Sequence, residues 1–261
     1  MTRPIVFLTD YGLADEFVGI CHGVMASIAP ASPVIDLTHA IPRQDVMRAA
    51  LTLARAEPYM PRDAVWVAVV DPGVGSERRE IALRTGAGAL LVGPDNGSLS
   101  LLWERLGGVE QAVRIDAAEV LLQPMSRTFH GRDIFAPAGA HLAAGMPLDR
   151  VGSIVAADSL ERLEVPGPMI ANGAVGARVS GVDGFGNVQL NVRLTDLESA
   201  GVVTPLRVSG RDVPVAGVFA DVGEGMLAAI VDSQGFVALV VNRGSASALL
   251  DLGPGDAVVL E

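Results

Sequence analysis

The sequence predicts an α/β N-terminal domain, with a mainly parallel sheet flanked by helices, followed by a smaller all-β, barrel-like C-terminal domain. Three observations carry this expectation. Short apolar runs alternate with helical patterns as far as Ala144. A Pro/Gly stretch, Val165-Pro166-Gly167-Pro168, then breaks the composition. Beyond it helical patterns nearly vanish, and Val-rich runs separated by Gly turns take over. The expected domains are therefore 1–164 and 169–261, joined by a linker over 165–168.

The elements follow in order. Ile5–Leu8 is a short unbroken apolar run, as a strand buried on both faces requires, and it ends at Thr9-Asp10-Tyr11-Gly12. Glu16–Ile28 has helical spacing, Val34–Leu37 reads as a second strand and Val46–Ala56 as a second helix. Ala64–Val70 is strongly strand-like, and Leu99–Leu106 and Ile134–Ala144 read as further helices. Strands alternating with helices imply a largely parallel sheet covered on both sides. In the second half, Ala174–Val182, Val188–Val192, Leu206–Val208, Val215–Phe219, Met226–Val231, Phe236–Val241 and Ala257–Leu260 are the expected strands of a small antiparallel barrel or sandwich.

Bulk properties exclude several classes of function. The formal net charge of -11 opposes a polyphosphate partner, and the one basic pair, Arg78-Arg79, stands between Glu77 and Glu80. Cys21 is the single cysteine, so neither an intramolecular disulfide nor a multi-cysteine zinc site can form. The apolar run near the N-terminus is too short for a signal-peptide core or a membrane span. The expectation is a reduced, cytoplasmic compartment, with no nucleic-acid or membrane partner.

Ligands of open α/β sheets bind beyond the carboxyl ends of the strands. Ile5–Leu8 leads to Asp10, and Trp66–Val70 leads to Asp71-Pro72-Gly73-Val74-Gly75, so both carboxylates belong on that edge. Asp10 serves equally as a turn former or a ligand-binding group, and Asp71 before Pro-Gly also suits a turn. Asp15 before Glu16-Phe17 suits a helix N-cap. The Pro72–Gly75 glycines lack the Gly-Lys-Ser/Thr of a phosphate loop. In Thr128-Phe129-His130-Gly131-Arg132-Asp133, His130 is either a general base or a local hydrogen-bonding group. His22, His39 and His141 fall within regular elements or at their ends and are expected to be structural. Asp10, Asp15, Asp71, His130 and Asp133 are conceivable metal ligands, yet none of the tight metal spacings occurs, and no metal is expected.

Several motifs occur in order over both halves. They are Thr9–Gly12 with Asp15, His39-Ala40-Ile41-Pro42 with Asp45-Val46, Val70–Gly75 with Arg78, and Gly93-Pro94-Asp95-Asn96-Gly97. Thr128–Asp133, Asp183-Gly184-Phe185-Gly186-Asn187, Ser233-Gln234-Gly235-Phe236 and Asn242-Arg243-Gly244-Ser245 follow. Together they resemble the S-adenosylmethionine hydroxide adenosyltransferases, hydrolytic relatives of the fluorinases and chlorinases. The resemblance implies hydrolysis of S-adenosylmethionine to adenosine and methionine, without a cofactor or metal. It implies a water-activating triad on Asp71, Arg78 and His130, with Asp10 on the ribose hydroxyls. Asp15, Asp183 and Ser233 would take the amino-acid end of the substrate and Asn187 the adenine side. It also implies a homotrimer whose sites lie at subunit interfaces.

Elementary chemistry agrees. Attack of water on the ribose 5′ carbon expels a neutral thioether, so no general acid is needed; positioning and a base carry the reaction. Arg78 would hold the Asp71 carboxylate through opposite charge and hydrogen bonds, leaving Asp71 to orient His130 or to take the proton itself. Positive charge on sulfur vanishes in the transition state, so a carboxylate against the sulfonium would favour the ground state. Asp15 and Asp183 are therefore expected to face the ammonium group. Two other readings compete. A halide-using transferase is disfavoured because a halide about 4 Å from Asp71 would meet roughly 4 kcal/mol of repulsion at an effective dielectric near 20. A non-catalytic S-adenosylmethionine or adenosine sensor would leave Asp71, Arg78 and His130 without a task. Gln44 and Gln234 stand where halogenating relatives carry Trp and Arg, and Val241 where they carry another Arg, so contacts at these three positions are not carried over.

Overall fold

The structure, a computed structural model, describes residues 2–171 and 173–261. The chain divides into two compact units after Glu164. The first contains β1 (Ile5–Thr9), α1 (Phe17–Ile28), β2 (Val34–Thr38), α2 (Val46–Ala56), β3 (Val65–Val69), β4 (Glu80–Thr85), β5 (Leu90–Pro94), α3 (Ser100–Arg105), β6 (Val109–Ile115), α4 (Ala136–Ala143) and β7 (Gly152–Val155). Its sheet has the order β2-β1-β3-β5-β4-β6-β7. The first four strands run parallel. β4, β6 and β7 extend the sheet with antiparallel neighbours.

Burial on both faces explains the apolar runs. Every residue of β1 and of β3 is buried. Alternate side chains divide between two cores, as the pleat demands. Ile5, Phe7, Val65 and Val67 meet Val18, Cys21 and Met25 of α1 and Ala138 and Leu142 of α4. Val6, Leu8, Trp66 and Ala68 meet Ala49 and Leu53 of α2 and Leu102 and Trp103 of α3. Each buried Val, Leu, Ile, Phe or Met side chain among them contributes about 1.5–3 kcal/mol. Gly139 lets α4 lie hard against β3, because a Cβ there would come within 2.3 Å of Val67 Cγ2.

The helix expected over Ile134–Ala144 is two elements. A π-helical turn spans Gly131–Phe135, and α4 follows from Ala136. Strands β4 to β7 are the part of the sheet that patterning does not reveal. β4 opens in the charged run Arg78-Arg79-Glu80, and β6 and β7 expose several residues, which blurs their apolar signal.

The second unit holds β8 (Met169–Ala171), β9 (Ala174–Val182), β10 (Val188–Arg193), α5 (Leu194–Ser199), β11 (Leu206–Val208), β12 (Arg211–Val213), β13 (Leu227–Val231), β14 (Phe236–Val241), α6 (Ala246–Leu250) and β15 (Ala257–Leu260). Antiparallel pairing gives the order β12-β11-β15-β9-β10-β14-β13, with β8 beside β9. Val175, Val188, Leu190, Val192, Leu206, Leu239 and Leu260 are among its core residues.

Val215–Phe219 does not form the expected strand. Val215 makes a single bridge to Ala229, and Phe219–Asp221 is a 3₁₀ turn. The Asp221 carboxylate accepts from the Gly217 and Val218 backbone N–H groups at 2.9 and 3.0 Å, so a side chain takes the bonds a ladder would use. The bridge joins the chain after β12 to β13, and the sheet is nearly closed into a barrel. Among the described residues, no helix is long and apolar enough to cross a membrane.

Candidate active site

β1, β3 and β5 are parallel, so Asp10, Asp71 and Asp95 emerge at one edge of the sheet. β4 runs the opposite way, and its register pairs Glu80 with Pro94. The beginning of β4 is thereby carried to the same edge. Two members of the charged run at its start are turned away from solvent. Arg78 and Glu80 are buried, with side chains 9% and 10% exposed, and Asp71 is 7% exposed.

Arg78 is the centre of this cluster. Its Nε donates to Asp71 Oδ1 at 2.8 Å, and its Nη2 makes a second, short bond to Asp71 Oδ2. This is a bidentate fork, the arrangement in which a guanidinium holds a carboxylate plane most firmly. Nη1 lies 2.8 Å from Glu80 Oε1, and Nη2 lies 2.9 Å from His130 Nδ1. Burial acts to lower the Arg78 pKa, but the hydrogen bond and charge of Asp71, with Glu80, outweigh it, and the pKa is raised. Arg78 is a permanent cation here.

His130 is buried at the start of the π-helical turn. Its Nδ1 also lies 3.3 Å from Glu80 Oε1. Arginine has no acceptor, so Nδ1 facing Arg78 must offer its lone pair, which leaves the proton on Nε2. Nδ1 facing Glu80 donates, and Nε2 is then a free base. The two neighbours therefore govern the two tautomers. Sequence reasoning missed Glu80, whose only signal was an acidic residue adjoining Arg78-Arg79. Asp71 and His130 are linked through Arg78, whose Nη2 contacts both, so any orienting of His130 by Asp71 runs through the guanidinium.

Close packing fixes this arrangement. A Cβ on Gly131 would fall 2.1 Å from the Tyr11 hydroxyl. A Cβ on Gly75, at φ +75°, would fall 2.5 Å from Arg127 O. Burial first, then Cys21, Asp10 and Asp71, hold the Tyr11 phenol well above its ordinary pKa against the opposing effect of Arg78. Tyr11 therefore remains a neutral hydroxyl. Beside it is a cavity of about 390 Å³ lined by Tyr11, Phe17, Ser126, Thr128, Phe129 and Arg132. Tyr11, Phe17 and Phe129 meet there edge to face.

Asp10 is half-buried, and its Oδ2 accepts from the Gln44 N–H at 2.8 Å. Asp15 is exposed and does not cap α1, whose first turn has no side-chain cap bond. Asp133 is committed to the fold: it accepts from Ser126 N–H at 2.7 Å and pairs with Arg132. Among the described residues, the five conceivable metal ligands Asp10, Asp15, Asp71, His130 and Asp133 do not converge as a group.

In the second unit, Asp183 and Asn187 share one turn between β9 and β10. Asp183 Oδ1 accepts from the Phe185 and Asn187 backbone N–H groups at 2.9 and 3.0 Å, and Oδ2 accepts from Asn187 Nδ2 at 2.9 Å. The Asn187 amide oxygen remains on the other side. Ser233 is exposed in the turn joining β13 and β14, which Asp232 shapes by accepting from Gln234 N–H and Phe236 N–H.

Family models describe both units. The SAM hydroxide adenosyltransferase N-terminal domain matches residues 5–152, and the C-terminal domain matches residues 177–259. The chain belongs to the SAM hydroxide adenosyltransferase family. A protein of Salinispora arenicola named (R)-S-adenosyl-L-methionine hydrolase is 50% identical over 255 residues, covering 98% of this chain and 96% of that protein. A fluorinase of Nocardia brasiliensis is 32% identical over 289 residues, covering 98% and 96%. The crystal structure of an uncharacterised conserved protein from Thermotoga maritima superposes with a TM-score of 0.89 at 38% identity, covering 98% of this chain and 99% of that one.

Proposed function

We propose that this member of the adenosyltransferase family hydrolyses S-adenosylmethionine to adenosine and methionine. The observation that carries the reading is the buried Asp71–Arg78–His130 assembly with Glu80 beside it. A bond forms between the water oxygen and the ribose 5′ carbon as the bond from that carbon to sulfur breaks. The electron pair returns to sulfur, which leaves as the neutral thioether of methionine, and the water proton passes to the protein. No metal or cofactor takes part in this reading.

His130 Nε2 is the proposed proton acceptor, in the tautomer whose Nδ1–H faces Glu80. Arg78 fixes Asp71 and crowds Nδ1, and Asp71 offers a carboxylate oxygen to orient the water. A general base in such a site contributes about 10²–10⁴-fold. Asp10, with one oxygen committed to Gln44, is proposed to bind the ribose hydroxyls through the other. The Asn187 amide oxygen suits the exocyclic amine of adenine, since its Nδ2 is engaged by Asp183. Asp15, Asp183 and Ser233 are assigned to the amino-acid end, where the ammonium keeps its charge throughout. A homotrimer with sites at subunit interfaces completes the proposal, and light scattering of the purified protein measures its subunit number.

The relative's name specifies the (R)-sulfonium epimer, and the same epimer is proposed here. The test is incubation of chelator-treated protein with each resolved epimer in ¹⁸O-labelled water. Labelled adenosine from the (R) epimer is expected. Unlabelled adenosine, or none without added halide, would overturn the reading.

A further inference from the structure

A second polar cluster in the N-terminal unit shares no residue with the Asp71–Arg78–His130 assembly. His22 lies on α1, Asp36 on β2 and His39 just beyond the end of β2. His22 Nε2 is 2.8 Å from Asp36 Oδ1, and His39 Nε2 is 3.0 Å from the same oxygen. All three donor atoms lie within 4.8 Å of one another. Phe7 forms an apolar wall against both imidazoles, with ring centroids 5.9 and 4.9 Å away.

His39 supplies the telling detail. Its side chain is only 2% exposed, yet Nε2 has no hydrogen-bond partner, although Asp36 Oδ1 lies 3.0 Å away. Its other nitrogen is engaged, with Nδ1 2.9 Å from Thr9 Oγ1. A ring fixed through one nitrogen while the other is aimed, buried and unpaired, at a carboxylate and a second imidazole is how histidine ligands are oriented.

We propose that His22 Nε2, His39 Nε2 and Asp36 Oδ1 bind one divalent transition-metal ion of the zinc class. Two imidazoles and a carboxylate are a borderline donor set suited to such ions. Tetrahedral zinc with ligand bonds near 2.0–2.1 Å sets its donors about 3.3 Å apart, so the two spacings from Asp36 Oδ1 need to open by only a few tenths of an ångström. His22 and Asp36 are 35% and 44% exposed, which gives the ion a path from solvent and room for a water ligand. Cys21 is not a further ligand. Burial pushes its thiol up to about 12, and it points into the core formed with α4. The ion would also steady the turn that carries Asp10, because His39 O accepts from Gly12 N–H at 2.7 Å and Thr9 Oγ1 accepts from Tyr11 N–H at 3.2 Å.

The experiment is calorimetric titration of tag-free, chelator-dialysed protein with Zn²⁺, repeated with Co²⁺ and followed by visible absorption. One ion per chain is expected, with cobalt bands showing nitrogen and oxygen ligation. Loss of a direct ligand in His22→Ala or Asp36→Asn should weaken binding more than the roughly 10–100-fold typical of an outer partner, and Thr9→Val should fall in that smaller range. His22 is partly exposed, so His22→Ala should still fold, and its metal-free melting curve separates loss of a ligand from loss of the fold. His130→Ala should bind zinc unchanged. No saturable binding, equal affinity in His22→Ala, or loss of binding in His130→Ala would each overturn the proposal. None of these readouts depends on the hydrolytic activity.

Discussion

The N-terminal unit holds two histidine–carboxylate clusters of opposite construction. Around Arg78 the centre is a cation, and His130, Asp71 and Glu80 all turn toward it. Around Asp36 the centre is a carboxylate oxygen, and two imidazoles turn toward that. The first set already contains the positive charge that satisfies its carboxylates. The second presents nitrogen and oxygen donors with no cation among them. The same residue types thus suit two proposed chemistries, proton transfer in one and metal binding in the other. What decides between them is whether an arginine occupies the middle.

The comparison breaks most severely at Arg78. Arg78→Met removes, among the described residues, the only guanidinium in contact with Asp71, leaving that buried carboxylate unpaired and Glu80 with Arg114 Nε, at 3.8 Å, as its one guanidinium contact. Breaking a buried pair from one side costs about 3–5 kcal/mol. The expected result is an unfolding free energy, measured by urea titration, lowered by that amount, together with loss of measurable turnover. Arg78→Lys should restore part of the stability but not the activity, because an ammonium cannot make the bidentate fork. A loss below about 1 kcal/mol in Arg78→Met would mean that water already compensates these charges, contrary to their burial.

The next effect in size is confined to chemistry. His130→Ala should lower kcat by at least about 10²-fold while leaving substrate affinity within a few-fold, the signature of an interaction made in the transition state. Single-turnover rates and equilibrium binding separate the two quantities. In a sensor, affinity and product formation would both stay as they were. An unchanged rate removes His130 from the mechanism.

Much of this was legible in the sequence, for identifiable reasons. β1 and β3 are buried on both faces and so read as unbroken apolar runs ending at Asp10 and Asp71. The barrel strands are short Val-rich segments between glycines, and all but Val215–Phe219 have counterparts in the fold. Asp71, Arg78 and His130 were brought together by resemblance, since no spacing links positions so far apart in the chain. Glu80 escaped notice because charged neighbours usually mark a solvated face, whereas antiparallel β4 turns this run inward. His22, Asp36 and His39 escaped for a similar reason: the parallel pairing of β1 with β2 and the packing of α1 unite them, and neither is written in local periodicity.

The smallest predicted effect tests how Glu80 acts on His130. Nδ1 lies nearer to Arg78 Nη2 than to Glu80 Oε1, at 2.9 against 3.3 Å, so the resting contact favours the tautomer protonated on Nε2. Turning Nε2 into a base requires Nδ1–H to face Glu80, and a carboxylate accepts that bond more strongly than an amide. In Glu80→Gln the acceptor survives but its charge does not. Replacing a charge-assisted bond by a neutral one is worth roughly 1–1.5 kcal/mol, which is about tenfold in rate. Glu80 is a positioning residue in this account, so kcat should fall by that factor with KM unchanged. Glu80→Asp should recover only part of the rate, because the shorter side chain retreats from Nδ1. If KM rises in step with the fall in kcat, Glu80 serves binding or local structure and the tautomer argument is wrong.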